Sequence, residues 1–218
     1  MPKPKQTGWT MIDFETLGLF DDAIILQLGM CYFSNEELAQ GHLNGTSELN
    51  LDSCIDRAVS FKFNVEEQIA LGRKTNKSTI AWWKTQPQHV IDKVVKENPK
   101  LDISIHQIFD VLQAYHIKHG TTLKNTRLVD RRHYDISKLQ HIYTVTMGKD
   151  SEQRVELPYN PYVTWEVSQM FQLFTGCRYA NIKADEIQND RFDYHDAGSD
   201  TALEAYRFIT TFAGNTEM

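Results

Sequence analysis

The chain predicts an α/β domain with a mixed sheet, and three observations carry that prediction. Strand-like apolar runs occupy three stretches of the first 63 residues, and a period near 3.6 takes over after residue 64. The composition, 41% hydrophobic and 24% charged over 218 residues, excludes a mainly disordered, collagen-like or coiled-coil chain. There is no internal repeat, low-complexity tract or convincing linker. One domain over 1–218, with its core at about 9–213, is therefore expected.

Residues 9–14 and 23–33 read as strands, with Leu17-Gly18-Leu19 and Asp21-Asp22 as the turn between them. The polar stretch Ser34 to Cys54, with Gly41 and Asn44-Gly45, reads as a hairpin connection to a third strand near Ala58 to Phe63. Three consecutive strands imply an antiparallel meander. Helical spacing follows at Val65, Ile69 and Leu71, at Ile80 with Trp82-Trp83, and at Val90 to Val95, punctuated by Pro87 and Pro99. Ile105, Ile108, Phe109, Leu112 and Tyr115 mark a clearer amphipathic helix stopped at Gly120. Arg127 to Asp130 reads as a short strand, Tyr134 to Met147 as a helix, Glu152 to Pro161 as an irregular loop and Val163 to Thr175 as a helix. A final helix over Ala197 to Phe212 buries Leu203, Tyr206, Ile209 and Phe212 or Ala213.

No apolar run is long enough to cross a membrane, and the N-terminal residues lack the apolar core of a signal peptide. Cys31, Cys54 and Cys177 are odd in number, far apart and without C-x-x-C spacing, so neither a disulfide framework nor a cysteine zinc site is suggested. A reducing cytoplasm is the expected compartment. The formal charge of −6 argues against a protein that holds nucleic acid by a broad basic surface. It leaves room for a nuclease, because carboxylates gathered around divalent cations can make an acidic protein attract phosphate locally.

Three short motifs carry chemistry. In Ile12-Asp13-Phe14-Glu15, the period-2 strand puts Asp13 and Glu15 on one face and the apolar pair on the other. Chance supplies about one D-x-E in such a chain, and Asp150-Ser151-Glu152 is a second instance in a polar loop. Only Asp13 and Glu15 close an apolar strand, where unpaired charge is costly. They read either as cation ligands or as a salt-bridged structural pair. His195 and Asp200 flank a plausible N-cap, Asp196, at the start of the last helix, and first-turn geometry lets Asp200 reach back toward the loop carrying His195. The plainer alternative is a capping Asp with a solvent-facing His. Asp135 follows Tyr134 at a strand-to-helix transition, either aimed into a cleft or serving as a simple helix N-terminal residue.

In this order the three motifs resemble the DEDD superfamily of 3′→5′ exonucleases, in its histidine-containing branch. Ile12 to Thr16, Lys77 to Lys84, and His195-Asp196 with Asp200 look most like the exonuclease A of tailed bacteriophages, and the likeness spans about residues 11–211. The resemblance implies an RNase H-like fold, a mixed central sheet flanked by helices. It makes Asp13, Glu15, Asp135 and Asp200 ligands of two divalent cations, Mg²⁺ or Mn²⁺, and His195 the general base. It further implies single-stranded nucleic acid as partner, DNA in preference to RNA, and, for a phage protein, the host cytoplasm. The alternatives are an exoribonuclease and a catalytically silent nucleic-acid-binding module with the same fold.

The stretch Arg131-Arg132-His133, just before Asp135, departs from the superfamily pattern. The arginines read equally as phosphate contacts or as an ion pair with Asp130. Trp82 and Trp83 offer base-stacking faces or core packing, and adjacent helical residues cannot both face inward. Arg73, Lys74 and Lys77 could track a backbone or simply be solvated. Asp185, Glu186, Asp190 and Asp193 lack the ligand spacing of an EF-hand. Glu166 is assigned no role.

Overall fold

The computed structural model describes residues 5–98, 100–146 and 157–214. Strands β1 (Gly8–Thr16), β2 (Ile25–Ser34) and β3 (Val59–Lys62) form the expected meander: Asp13 stands opposite Gly29 in the antiparallel β1–β2 pair, and Gly29 opposite Ser60 in the β2–β3 pair. Two further strands, β4 (Thr126–Asp130) and β5 (Thr164–Glu166), add in parallel on the other side of β1, giving the order β3-β2-β1-β4-β5. This mixed, helix-flanked sheet is RNase H-like.

The alternation of β1 divides the core. Ile12 and Phe14 enter one cluster with Ile108, Leu112 and Tyr115 of α6 (Ile108–Lys118) and with Ile136, Leu139 and Ile142 of α7 (Tyr134–Thr146). Trp9 and Met11 enter the opposite cluster, which holds Phe171 of α8 (Val167–Thr175) and Phe208, Ile209 and Phe212 of α9 (Ala197–Phe212). Asp13 and Glu15 share the parity of Met11, so they emerge on the α9 side. The α9 stripe runs through Leu203, Ile209 and Phe212, with Tyr206 half-buried and Ala213 exposed.

Two readings are corrected here. The stretch Ser34 to Cys54 is not a hairpin connection: it carries α1 (Asn35–Gln40) and the start of α2 (Leu51–Arg57). Ser34 and Glu37 form a reciprocal capping box at the first helix, as do Asn50 and Ser53 at the second. The helix expected from Val163 begins only at Val167, because β5 precedes it and Glu166 accepts from the backbone N–H groups of Ser168 and Gln169 as its cap. The helical run after residue 64 divides into α3 (Val65–Ala70), α4 (Lys77–Trp83) and α5 (Gln88–Val90), the last continuing as a π-helical segment over Ile91–Val95. Pro99, Met147, the Asp150–Glu152 pair and residues 152–156 of the Glu152–Pro161 loop lie outside the described residues. Among the described residues no helix is long and apolar enough to cross a membrane.

Candidate active site

The site forms where β1 and β4 part. They pair only from Gly8 with Thr126 to Met11 with Val129, so the edge of β1 beyond Met11 takes other partners. Asp135, in the first turn of α7, occupies that gap, and its Oδ1 accepts the backbone N–H of Phe14 at 3.3 Å. Asp130, at the end of β4, holds the helix in turn: its Oδ2 accepts the N–H groups of Asp135 at 2.9 Å and Ile136 at 3.1 Å. Between them Arg132 and His133 adopt left-handed φ angles of 63° and 53°.

The other wall comes from α9. A Cβ on Gly29 would lie 1.9 Å from the carbonyl oxygen of Ala197, so only glycine lets the first turn of α9 rest on β2. Gln27, opposite Glu15 on β1, anchors that turn: its Nε2 donates to Asp196 Oδ2 at 2.9 Å and its Oε1 accepts the N–H of Ala197 at 3.0 Å. Asp196 is the N-cap, accepting from the N–H of Ser199. Asp200 does reach back, with Oδ2 accepting the N–H of His195 at 3.1 Å, and this holds His195 at a left-handed φ of 66°.

Ligand atoms of Glu15, His195 and Asp200 thereby lie within 4.8 Å of one another. Asp13 lines the same cleft, about 440 Å³ in volume, together with Arg131, Tyr179, Tyr194 and Glu204. Asp135 is buried behind this cleft and does not line it. Trp83 is a core residue, 3% exposed, its indole N–H donating to the carbonyl of Thr16. Trp82 is 40% exposed and meets His195 edge to face at 4.7 Å, while the ring of Tyr194 stacks on His195 at 3.9 Å.

The electrostatics are those of crowded, desolvated carboxylates. Burial, then the charges of Glu204, Asp196 and Asp130, pushes Asp13 up to about 7, against the opposing pull of Arg131. Burial and then Asp13 raise Glu15 and Asp200 well above the ordinary carboxylate range, the second despite its hydrogen bond from His195. Asp135 is raised by burial and by Asp13, with Lys138 opposing. Burial lowers His195, which favours its neutral ring. A cluster of hard oxygen donors that is costly to ionise unaided fits divalent cations.

Arg131 does not pair with Asp130. It engages Glu204 at 2.6 Å and donates to the carbonyl of Arg178, whereas His133 Nδ1 approaches Asp130 Oδ1 at 3.5 Å. Lys74 pairs with Asp22, and Arg73 is buried against the carbonyls of Asp21 and Ala23. Gln27 and Glu204 were not singled out in the sequence. A lone amide inside the apolar β2 run points to the first, and the Asp200, Glu204, Arg207 spacing of one helical face to the second.

An RNase H-like sheet with carboxylates on β1, α7 and α9 and a histidine before the last helix defines the DEDD-type 3′→5′ exonuclease class. Residues 9–210 match the model of the family described as the 3′-5′ exoribonuclease Rv2179c-like domain, and the chain belongs to that family. No curated protein sequence matches the chain. Among solved structures it is similar to product-bound exonuclease I (10% identity, TM-score 0.53, covering 95% of this chain and 44% of that one) and to the zinc-bound complex of E. coli exonuclease I with single-stranded DNA (11%, 0.55, 94% and 41%). It thus spans less than half of either exonuclease I chain. A 3′-exonuclease recognising the histone mRNA stem-loop shares 14% identity at a TM-score of 0.52, covering 94% of this chain and 81% of that one. At these identities the likeness is one of fold.

Proposed function

We propose that the protein removes nucleoside 5′-monophosphates from the 3′ end of single-stranded RNA. The convergence of Glu15, His195 and Asp200 within 4.8 Å, beside Asp13 in one cleft, carries this reading. Asp13, Glu15 and Asp200, with Asp135 through the carboxylate oxygen that does not accept from Phe14, would hold two cations, Mg²⁺ or Mn²⁺. Such ions, when bound, offset charge on the scissile phosphate and on the departing 3′-oxygen. A ring nitrogen of His195 accepts the proton of the attacking water, with Trp82 and Tyr194 holding the ring and Asp200 its backbone. Asp135, through Phe14, fixes the strand on which Asp13 and Glu15 stand.

RNA is favoured by the family description. Single-stranded DNA is the second reading, favoured by the phage resemblance and by the fold shared with exonuclease I. A gel time course with 5′-labelled RNA and DNA of one sequence, in Mg²⁺, Mn²⁺ or EDTA, tests both. A metal-dependent ladder shortening from the 3′ end on RNA, slowed at least about 10³-fold in Asp200→Ala, is the expected result. Faster shortening of DNA would reverse the choice of sugar, and cleavage of neither would end the catalytic reading.

A further inference from the structure

Beside the cleft lies a second concavity of about 640 Å³, lined by Arg132, His133, Gln169, Gln172, Leu173 and Arg178, with Glu166 also in its lining. Its polar chemistry is one-sided. Glu166 is 7% exposed and turned inward, accepting from the N–H groups of Arg132, Ser168 and Gln169 and from the Ser168 hydroxyl. Both arginines are exposed and, among the described residues, neither guanidinium has a partner. The polar surface offered to solvent is therefore guanidinium, imidazole and amide, beside the exposed side chain of Leu173, on a chain whose net charge is −6. The groove also adjoins the cleft: Arg131, which lines the cleft, donates to the backbone carbonyl of Arg178. Arg132 and His133 are held in successive left-handed conformations, which non-glycine residues adopt at a cost, so their side chains are presented where an ordinary turn would not put them.

We propose that this groove binds the sugar-phosphate backbone of single-stranded nucleic acid on the 5′ side of the scissile bond, Arg132 and Arg178 each contacting a phosphate. The inference rests on the exonuclease reading, since a strand whose 3′ end is in the cleft can continue only in the 5′ direction. Guanidinium matches phosphate by paired hydrogen bonds, and such contacts carry no sequence preference.

The test is fluorescence anisotropy of a 5′-labelled oligouridine of about 15 nucleotides in EDTA across a salt series, with wild type, Arg132→Ala/Arg178→Ala, Arg132→Lys/Arg178→Lys and Lys118→Ala. Lys118 is exposed on α6, which packs on the opposite face of the sheet. The alanine pair should raise Kd about tenfold and lower the log–log salt slope by about 1.4, the value for two single-strand phosphate contacts. The lysine pair should recover most of the slope, and Lys118→Ala should keep it. An alanine pair with wild-type Kd and slope overturns the proposal. Because this readout needs no turnover, loss of binding in the alanine pair beside a wild type that cuts neither RNA nor DNA would sustain the groove while removing the catalytic reading.

Discussion

The helices α9 and α7 each deliver a carboxylate to the same stretch of β1, and they are seated by opposite means. The α9 start is set by close approach: Gly29 admits the carbonyl of Ala197, Gln27 bonds the cap, and Asp196 satisfies the first turn. The α7 start is set by a tether, because Asp130 spans a left-handed turn to hold two backbone N–H groups. A helix fixed by steric fit tolerates no added atom, whereas one whose first turn is tethered by a buried carboxylate depends on that acceptor for its register.

Gly29→Ala should therefore have the largest effect. Its methyl meets backbone rather than a flexible side chain, so α9 must shift. A loss of about 3 kcal/mol, near 10 °C in Tm, is expected, together with collapse of turnover as Asp200 and His195 leave register. An unchanged melting curve would show that the contact at Gly29 does not set the helix. Asp130→Ala should act less on stability, by about 2 kcal/mol for two buried N–H groups left unmet, and should slow turnover about tenfold by loosening Asp135. Asp130→Asn keeps an acceptor oxygen and should restore most of the rate; if both variants turn over like wild type, the tether is irrelevant to the site.

The third effect is a gain. The carboxyl of Asp13 is raised from 3.8 to about 7 in the folded cleft, so the folded state binds its proton more tightly than the unfolded chain. Stability from this group is present below about pH 4 and is lost as pH rises toward 7. In EDTA, Asp13→Asn should match wild type near pH 4 and exceed it by a margin that grows as pH rises to 8, as read by denaturant melts. A gap that does not grow with pH would remove the strain assigned to that carboxylate.

Much of this contrast was legible in the sequence, more so on the α9 side. The bounds of the last helix, its Asp196 cap and the reach of Asp200 to His195 follow from local rules, and the structure agrees at each. On the α7 side the strand and helix were legible, but the pairing of Arg131 was not, because Glu204 is 73 residues away. The three-residue β5 was read as helix since its strand state comes from pairing with β4 rather than from its own pattern. The helices between Ser34 and Cys54 were hidden by Gly41 and Asn44-Gly45, although Ser34 and Glu37 spell a capping box. That Trp82 rather than Trp83 meets His195 depends on the Thr16 carbonyl, a partner of Trp83 67 residues distant.

The contact between Trp82 and His195 also gives the molecule an optical property. Indole emission responds to the polarity and charge of what touches the ring, and Trp9 and Trp83 are sealed in the interior. Trp82 alone of the four tryptophans rests on the histidine of the cleft, so water, a proton or a nucleobase arriving there alters the light of a fluorophore the chain already carries.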